Sequence, residues 1–539
     1  ISLNYTIIGI LTEKGLQRYD GSDIYLLDGQ ELVLKQPQPE SSEIEGYQIK
    51  EYLPRVEGAF ARIQHYMHTD SGSSYWKITS NTNETSVYGK SPATRICNPT
   101  SHKQIFEWLL EYSEDALGNK QVYTYAEEND IGTTNKTTEK GRSTAQKYLE
   151  SSSYGNYFLD AKEEGELKEH YAFRLSFIYR PCSAEELVTD ANKPWTLRKD
   201  PFSSFQSSFE VRTRRLCHHI LLFHELEEEV GPSCLVKQLA LEYEATSTYK
   251  TTQVVGPSRL KSAQLVGYQR KGKTVESAYE TKKAPKLKFT YSAFKAPEKD
   301  CFQELELVQK EKTNEEERQF RPVPDYLDVS GFQPVDLYGE GIPGLLYTKG
   351  GSLLYFPPLG EGKYALPENP DPFPIDRDFE AGKAALVDLE GDGSLELVYE
   401  SEERKGFYGA DTEKRWSSFQ PFARYPTDFA HPMAERVGLS NNGKTDLLLA
   451  DRNQVHVYHS EGKKGFEKRE SIPHPENVTT FPLAQQENPR IQVSFGNLLG
   501  DGLSHRICIE SGSVACWPSL GYGHFGEKIV LENAPKFEG

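Results

Sequence analysis

Asp388-Leu389-Glu390-Gly391-Asp392-Gly393, with Glu396-Leu397-Val398-Tyr399 just beyond it, is the stretch that organises this chain. The same register returns as Asp336-Leu337-Tyr338-Gly339-Glu340-Gly341 before Gly344-Leu345-Leu346-Tyr347. It returns again as Gly438-Leu439-Ser440-Asn441-Asn442-Gly443 before Asp446-Leu447-Leu448-Leu449, and as Asn497-Leu498-Leu499-Gly500-Asp501-Gly502 before His505-Arg506-Ile507-Cys508. The closing glycines stand at 341, 393, 443 and 502, so the spacings are 52, 50 and 59 residues. A second motif follows as Leu359-Gly360-Glu361-Gly362-Lys363-Tyr364 and Leu520-Gly521-Tyr522-Gly523-His524-Phe525, with Glu461-Gly462-Lys463-Lys464-Gly465-Phe466 as a looser copy. Periods near 50 residues, each holding several short strands, predict a β-propeller. The glycine recurs because a tight turn before each strand needs positive φ. About four blades are expected, with room for part of a fifth.

Upstream of the repeats the chain reads as short strands and turns. Tyr75-Trp76-Lys77-Ile78-Thr79 alternates as a half-buried strand should. Ile105 to Leu109, a turn at Asp115 to Lys120, and Gln121 to Tyr125 predict a hairpin. Phe209 to Thr213 and Cys217 to Phe223 are expected to form another strand pair, whereas 132–153 and 163–169 are expected to be exposed loops or short helices. The charge run from Lys310 to Arg318, followed by Arg321-Pro322-Val323-Pro324, reads as a solvated linker. The expected organisation is a β-rich domain at 1–305, a linker at 306–324 and propeller repeats at 325–539.

The chain has 539 residues, with 62 Lys and Arg against 80 Asp and Glu, a net charge of −18. That balance argues against nucleic acid or an anionic membrane as the main partner. Aromatics at 12%, with 42 Gly and 31 Pro, favour β-structure rich in turns. No apolar run approaches the roughly 20 residues of a membrane helix. Ile1 to Leu11 carries Asn4 and Thr6 without a basic leader, so it does not read as a signal peptide. The start at Ile1 suggests a fragment or processed product. Seven scattered cysteines without a CxxC predict free thiols, with a Cys508–Cys516 bridge across a hairpin as the weaker alternative.

Several motifs mimic chemistry that the repeat explains better. Gly438 to Thr445 satisfies G-x-x-x-x-G-K-[ST], but a phosphate loop must open a helix, and Gln454 to Tyr458 downstream alternates like a strand. An ATPase at Lys444 is therefore not expected. Gly339-Glu340-Gly341-Ile342-Pro343-Gly344 spells G-x-G-x-x-G, yet it leads into a strand and carries an acid that would repel pyrophosphate. Asp388, Glu390, Asp392 and Glu396 have a spacing that can wrap calcium. The sister copies put Tyr338, Gly438 and Leu499 at ligand positions, so a hydrogen-bonded turn is preferred. His218, His219 and His224 lack the companion ligands of a zinc site and read as structural. Cys217 beside His218 is mere adjacency, and pairs such as Glu163 with Glu166 are expected by chance among so many carboxylates. No catalytic, metal or cofactor residue is assigned, and the chain is expected not to be an enzyme.

Lys14 to Asp20, Asp23 to Leu27, Tyr52 to Ile63 and Ile105 to Leu109 resemble, in order, the SpvB-type virulence domain. The most specific stretch is Asp200-Pro201-Phe202-Ser203-Ser204-Phe205 with Phe209-Glu210-Val211-Arg212-Thr213-Arg214-Arg215-Leu216-Cys217, then Phe289 to Ser292. The repeats from Asp336 onward are similar to the FG-GAP or VCBS-type propeller that follows this domain in the B component of bacterial Tc (ABC) insecticidal toxins. The resemblance implies a mainly β fold: an SpvB-type shell domain followed by a propeller. It implies a hollow shell shared with the Rhs-type C component and enclosing its cytotoxic tail, with the propeller docked on the pore-forming A component as a gate. It implies synthesis in the bacterial cytoplasm and release to the extracellular space within the complex, with no nucleic acid partner and no direct membrane insertion. Four or so blades fall short of the family's six, and no equivalent of SpvB's ADP-ribosyltransferase tail is read. The alternative is a secreted propeller-bearing adhesin, calcium-dependent through Asp388 and Asp392.

Overall fold

Trp76 and Trp108, both almost wholly buried, lie inside a ring of antiparallel strands. Ile7–Leu11, Ile24–Leu27, Gln30–Leu34, Tyr47–Pro54, Arg62–His68, Ser74–Thr79, Thr85–Tyr88 and Ser101–Glu114 pair in turn. The ring closes where Ile7 stands opposite Leu109. A barrel of eight strands has an interior that side chains just fill, and here Leu32, Ile63, Trp76, Tyr88, Ile105, Trp108 and Leu110 fill it. His65 stacks on Trp76 with ring centroids 4.2 Å apart, and burial pushes its pKa down to about 3, so it is a neutral core residue. Gly89 has φ +64°, and a Cβ there would overlap the Trp108 ring, which explains the glycine.

The computed structural model describes residues 7–11, 19, 23–37, 43–44, 46–133, 137–160, 167–182, 186, 193–244, 248–249, 252–253, 258–275, 277–292, 306–309, 319–322, 331–338, 341–349, 354–368, 384–390, 394–401, 403–409, 415–439, 443–484, 488, 490–531, 534 and 536.

From the barrel an open sheet runs outward through Lys120–Glu127, Lys147–Asp160, Leu167–Ile178, His219–His224, Cys234–Tyr243 and Leu260–Arg270. The predicted hairpin is present, its turn held by Asp115, whose Oδ1 accepts the N–H groups of Leu117 and Asn119 at 2.9 Å. Two expectations are corrected. The Ser-rich stretch read as a loop enters the 14-residue strand Lys147–Asp160, where Ser151 and Ser152 bond to Thr124 and Gln121 across the ladder. Val211–Thr213 pairs with Phe202–Ser204, while His219–His224 joins the large sheet, so the expected pair is divided between two sheets.

Four propeller-like blades follow, their second strands at Gly344–Tyr347, Glu396–Glu400, Asp446–Ala450 and His505–Glu510. The first is three-stranded and the other three are four-stranded. The second strands of the first three blades lie within their sheets and are packed on both faces, so their centres read as continuous apolar runs rather than alternating ones. Leu346, Leu397 and Leu448 are fully buried there. The third and fourth blades share one core: Val437, Leu448, Val455, Val457 and Ile472 against Ala515, Trp517 and Phe525. The segment read as a linker contributes two strands. Glu306–Gln309 and Gln319–Pro322 pair antiparallel, and the former runs parallel to Lys363–Ala365. The charge run itself, 310–318, lies outside the described residues. No helix among the described residues is long and apolar enough to cross a membrane.

Candidate functional site: the junction of barrel sheet and fourth blade

The short sheet of Phe202–Ser204 and Val211–Thr213 lies where the large sheet meets the fourth blade. A three-residue strand bearing Arg212, with Arg214 and Arg215 just beyond it, can be buried only if partners meet each guanidinium. They do. Arg212 donates to Glu139 Oε1 and Oε2 at 2.7 and 2.9 Å and to Ser203 Oγ at 2.9 Å. Arg214 Nε lies 2.9 Å from Glu139 Oε2. Arg215 forks onto Glu128 Oε1 at 2.6 and 2.9 Å. Arg142, with no exposed side-chain surface, donates to Glu210 Oε1 at 2.6 Å and to the Ser519 carbonyl at 2.8 Å.

Asp501, from the glycine loop of the fourth blade, completes this lattice. Its Oδ2 lies 3.5 Å from Arg142 and 3.7 Å from Arg212, its carbonyl accepts the Ser203 N–H at 3.3 Å, and its Oδ1 lies 3.0 Å from His505 Nε2. His505 Nδ1 accepts the Ser519 N–H at 2.9 Å, which leaves the ring proton on Nε2, facing Asp501. Burial opposes ionisation of Asp501, but His505 and Arg142 outweigh it and hold the carboxyl below its usual range. Glu139 behaves likewise, burial being overcome by Arg212 and Arg214. Arg142, Arg212 and Arg214 thus face Glu139, Glu210 and Asp501, and the charges balance. A buried lattice of this kind gives modest net stability, because desolvation offsets attraction, but it fixes one geometry strictly.

Above the lattice the second repeat motif closes the contact. Gly521, Tyr522 and Gly523 have φ of +88°, +48° and +83°. A bulky residue in the left-handed region is strained and persists only where its surroundings hold it. Tyr522 is held: its hydroxyl donates to the Phe205 carbonyl at 2.8 Å, and its ring meets Phe205 edge-on at 5.3 Å. A Cβ on Gly521 would collide with the Phe205 ring, so only glycine fits.

The mimic motifs resolve into structure. Lys444, which completes the phosphate-loop pattern, has a fully buried side chain bonded to Glu390 Oε2 at 2.9 Å, and the strand Asp446–Ala450 follows it. Glu390 Oε1 accepts the Lys463 N–H at 2.8 Å, and Lys463 Nζ lies 2.9 Å from Glu396. Two of the four calcium-spaced acids are therefore engaged by lysines of the next blade. The ninth-position acid closes its own loop, since Glu396 Oε2 accepts the Leu389 N–H and Asp446 Oδ2 the Leu439 N–H, at 3.1 and 3.2 Å. Asp392 and Gly393 lie outside the described residues, as do Gly339 and Glu340 of the dinucleotide-like motif and the Glu163–Glu166 pair. Among the described residues no three His, Cys, Asp or Glu side chains converge on a metal position. His218, His219 and His224 take separate partners: the Tyr243 ring, Gln238 Nε2 at 2.9 Å, and the Phe173 ring. Cys508 stands opposite Ala515, and Cys516 opposite Ile507, so the two thiols alternate to opposite faces. Burial pushes the Cys516 thiol up to about 12.

Reading the sequence singled out Ser203, Phe205, Glu210, Arg212 and Arg214 only as carriers of a resemblance, and assigned no role to Glu139, Arg142, Asp501, His505 or Tyr522. The usable signal was three arginines in four residues beside an apolar-flanked strand, which demands buried acids somewhere.

The family model described as Salmonella virulence plasmid 65kDa B protein, SpvB, matches residues 1–226. The mono(ADP-ribosyl)transferase SpvB of Salmonella typhimurium is 29% identical over 255 residues, 43% of this chain and 43% of that protein. The Salmonella dublin protein of the same name matches to the same extent. The chain therefore spans well under half of these curated relatives. A chain of the Photorhabdus luminescens Tc holotoxin pore aligns over 99% of this chain and 24% of its own length, at 27% identity and a TM-score of 0.71. A chain of the TcdB2-TccC3 complex aligns over 99% of this chain and 25% of its own, at 25% identity and a TM-score of 0.60. The chain is thus similar to SpvB in its first part and to a Tc toxin component along nearly its whole length. The enzyme names correct the expectation that no enzymatic activity attaches to this chain: the curated relatives it matches are ADP-ribosyltransferases.

Proposed function

We propose that this chain is the shell-and-gate part of a Tc-type toxin B component, joining a C component to enclose its cytotoxic cargo and docking its propeller on the pore-forming A component. The observation that carries the reading is the alignment of 99% of the chain with a Tc holotoxin chain at a TM-score of 0.71. The physics supports it. Propeller blades pair their own strands and leave short edges, a central channel and a loop-rich face for docking. A gate also needs a frame, and the buried lattice around Arg142, Arg212 and Asp501 ties the fourth blade to the barrel sheet. Synthesis in the bacterial cytoplasm and release outside the cell within the complex follow from this reading.

The test is reconstitution of the full-length protein with its A and C components. Cargo protected from protease in the complex, and loss of A binding when the propeller is removed, are the expected results. Cargo digested as fast as free C component, or A binding unaffected by propeller removal, would overturn the reading. Because the curated relatives are named as ADP-ribosyltransferases, transfer of label from NAD is to be measured on the same preparations.

A further inference from the structure

The three most exposed large apolar side chains among the described residues are Leu117 at 88%, Val56 at 77% and Phe60 at 74%. All three stand on one rim of the barrel. Arg62 lies opposite Thr79 and Thr85 opposite Glu114, so the loop carrying Val56 and Phe60, the turn at 80–84 and the turn carrying Leu117 follow one another around that rim. Three strand spacings separate the first from the last, roughly 14 Å. The rim stands apart from the joint with the fourth blade. The strand Lys120–Glu127 leaves the Leu117 turn and ends opposite Lys147, next to the segment that carries Glu139 and Arg142, about 25 Å away for eight residues.

Both loops hold their apolar residues on braced backbone. Glu57 Oε1 accepts the N–H groups of Gly58 and Phe60 at 3.0 and 2.8 Å, fixing Phe60 at φ +51°. Asp115 does the same for Leu117. Scattered exposed apolar residues are ordinary, but three on neighbouring braced loops form a patch whose ordering is settled before any partner arrives. Neither turn needs an apolar side chain at these positions for its own geometry.

The surrounding charge selects the partner. Asp28, Glu57 and Glu84 are exposed on this rim; of its described cations, Arg55 is bonded to Glu31, Lys120 is paired with Glu169 at 3.4 Å, and Arg62 is exposed. Such a rim is repelled by anionic lipid and complements apolar sockets bordered by lysine or arginine. We infer that this rim is the surface on which the toxin's C component docks, through sockets of that chemistry. The inference rests on the toxin reading above, in which the A component occupies the propeller and leaves this rim free.

The test uses full-length protein and measures C-component binding at low and high salt. The triple variant Val56→Ser, Phe60→Ser, Leu117→Ser is expected to weaken binding at least about tenfold, since anchors of this kind dominate an interface. Glu84→Lys should lose affinity at low salt alone, and Val275→Ser, exposed elsewhere, should bind as wild type. If the triple variant melts early, Leu117→Ser alone, whose turn Asp115 still holds, gives the answer. Wild-type binding by the triple variant, or its loss of self-association in sedimentation or of anionic-vesicle binding instead, overturns the inference and leaves the toxin reading standing. Failure of the wild-type protein to bind the C component overturns both.

Discussion

Gly360-Glu361-Gly362 and Gly521-Tyr522-Gly523 are the same backbone used twice. Their φ values run +84°, +54°, +76° in one and +88°, +48°, +83° in the other. Around the first, a Cβ at either glycine meets nothing, and the Glu361 side chain is 87% exposed. Around the second, Phe205 and Leu439 close in, and Tyr522 is half-buried between two parts of the chain. The repeat therefore specifies a turn, while the residue between the glycines decides whether the turn is surface or joint. The glycine loops differ in the same way: Glu390 faces a lysine of the next blade, whereas Asp501 faces arginines 289 and 359 residues upstream.

The largest effects should come from breaking the joint's charge balance. Asp501→Ala leaves Arg142 and Arg212 with fewer partners in a buried site, and loss of about 3–5 kcal/mol is expected. Calorimetric melting of the full chain measures it. Acid should separate the wild type from Asp501→Asn. The Asp501 carboxyl is held below its usual value, so its contribution is complete above its unfolded pKa of about 3.9 and fades as pH falls through the lower folded value. Asp501→Asn lacks that proton linkage, and its melting temperature should fall less steeply below about pH 4. A parallel fall in both proteins would show that Asp501 is not ionised in the joint.

Next in size is the glycine comparison. Gly521→Ala adds a left-handed penalty of about 1–2 kcal/mol to overlap with Phe205 of about 1–3. Gly360→Ala carries the left-handed penalty of about 1–2 kcal/mol alone, because nothing lies within 4 Å of its Cβ. Equal losses in the two variants would mean that Phe205 yields and the joint is loose.

How far the sequence revealed these features depends on how local their cause is. The glycine loops were legible because positive φ is a property of one residue, and Gly341, Gly443 and Gly502 adopt it at +78°, +80° and +86°. The strand Gln454–Tyr458 and the Asp115 hairpin were legible for the same reason: alternation and a turn residue suffice. The barrel was not, since its closing pair joins Ile7 to Leu109 and no short window contains both. Ser151 to Ser153 misled because polarity signals a loop only when neighbouring strands are absent. The mimic motifs did not mislead, because the repeat accounted for them, and the lysine that completes one of them is spent on a neighbouring acid, Lys444 on Glu390. Arg212 and Asp501, the candidate site itself, became related only once fold brought them together.

The smallest effect is also the sharpest test of the comparison, because one substitution should change sign between the two turns. Glu361→Gly removes a side chain from a left-handed residue whose only ion pair among the described contacts, 3.4 Å to Lys363, is exposed and worth little. Relief of strain and the greater freedom of the unfolded chain nearly offset each other, so the variant should range from unchanged to about 1 kcal/mol more stable. Tyr522→Gly relieves the same strain but removes a half-buried ring packed on Phe205 and the hydroxyl that donates to the Phe205 carbonyl, and should lose about 2–3 kcal/mol. Paired calorimetric melts of the two variants decide the matter. Losses of the same sign and size would mean that Tyr522 is no more than a turn residue, and the fourth blade would be held to the barrel sheet by the charge lattice alone.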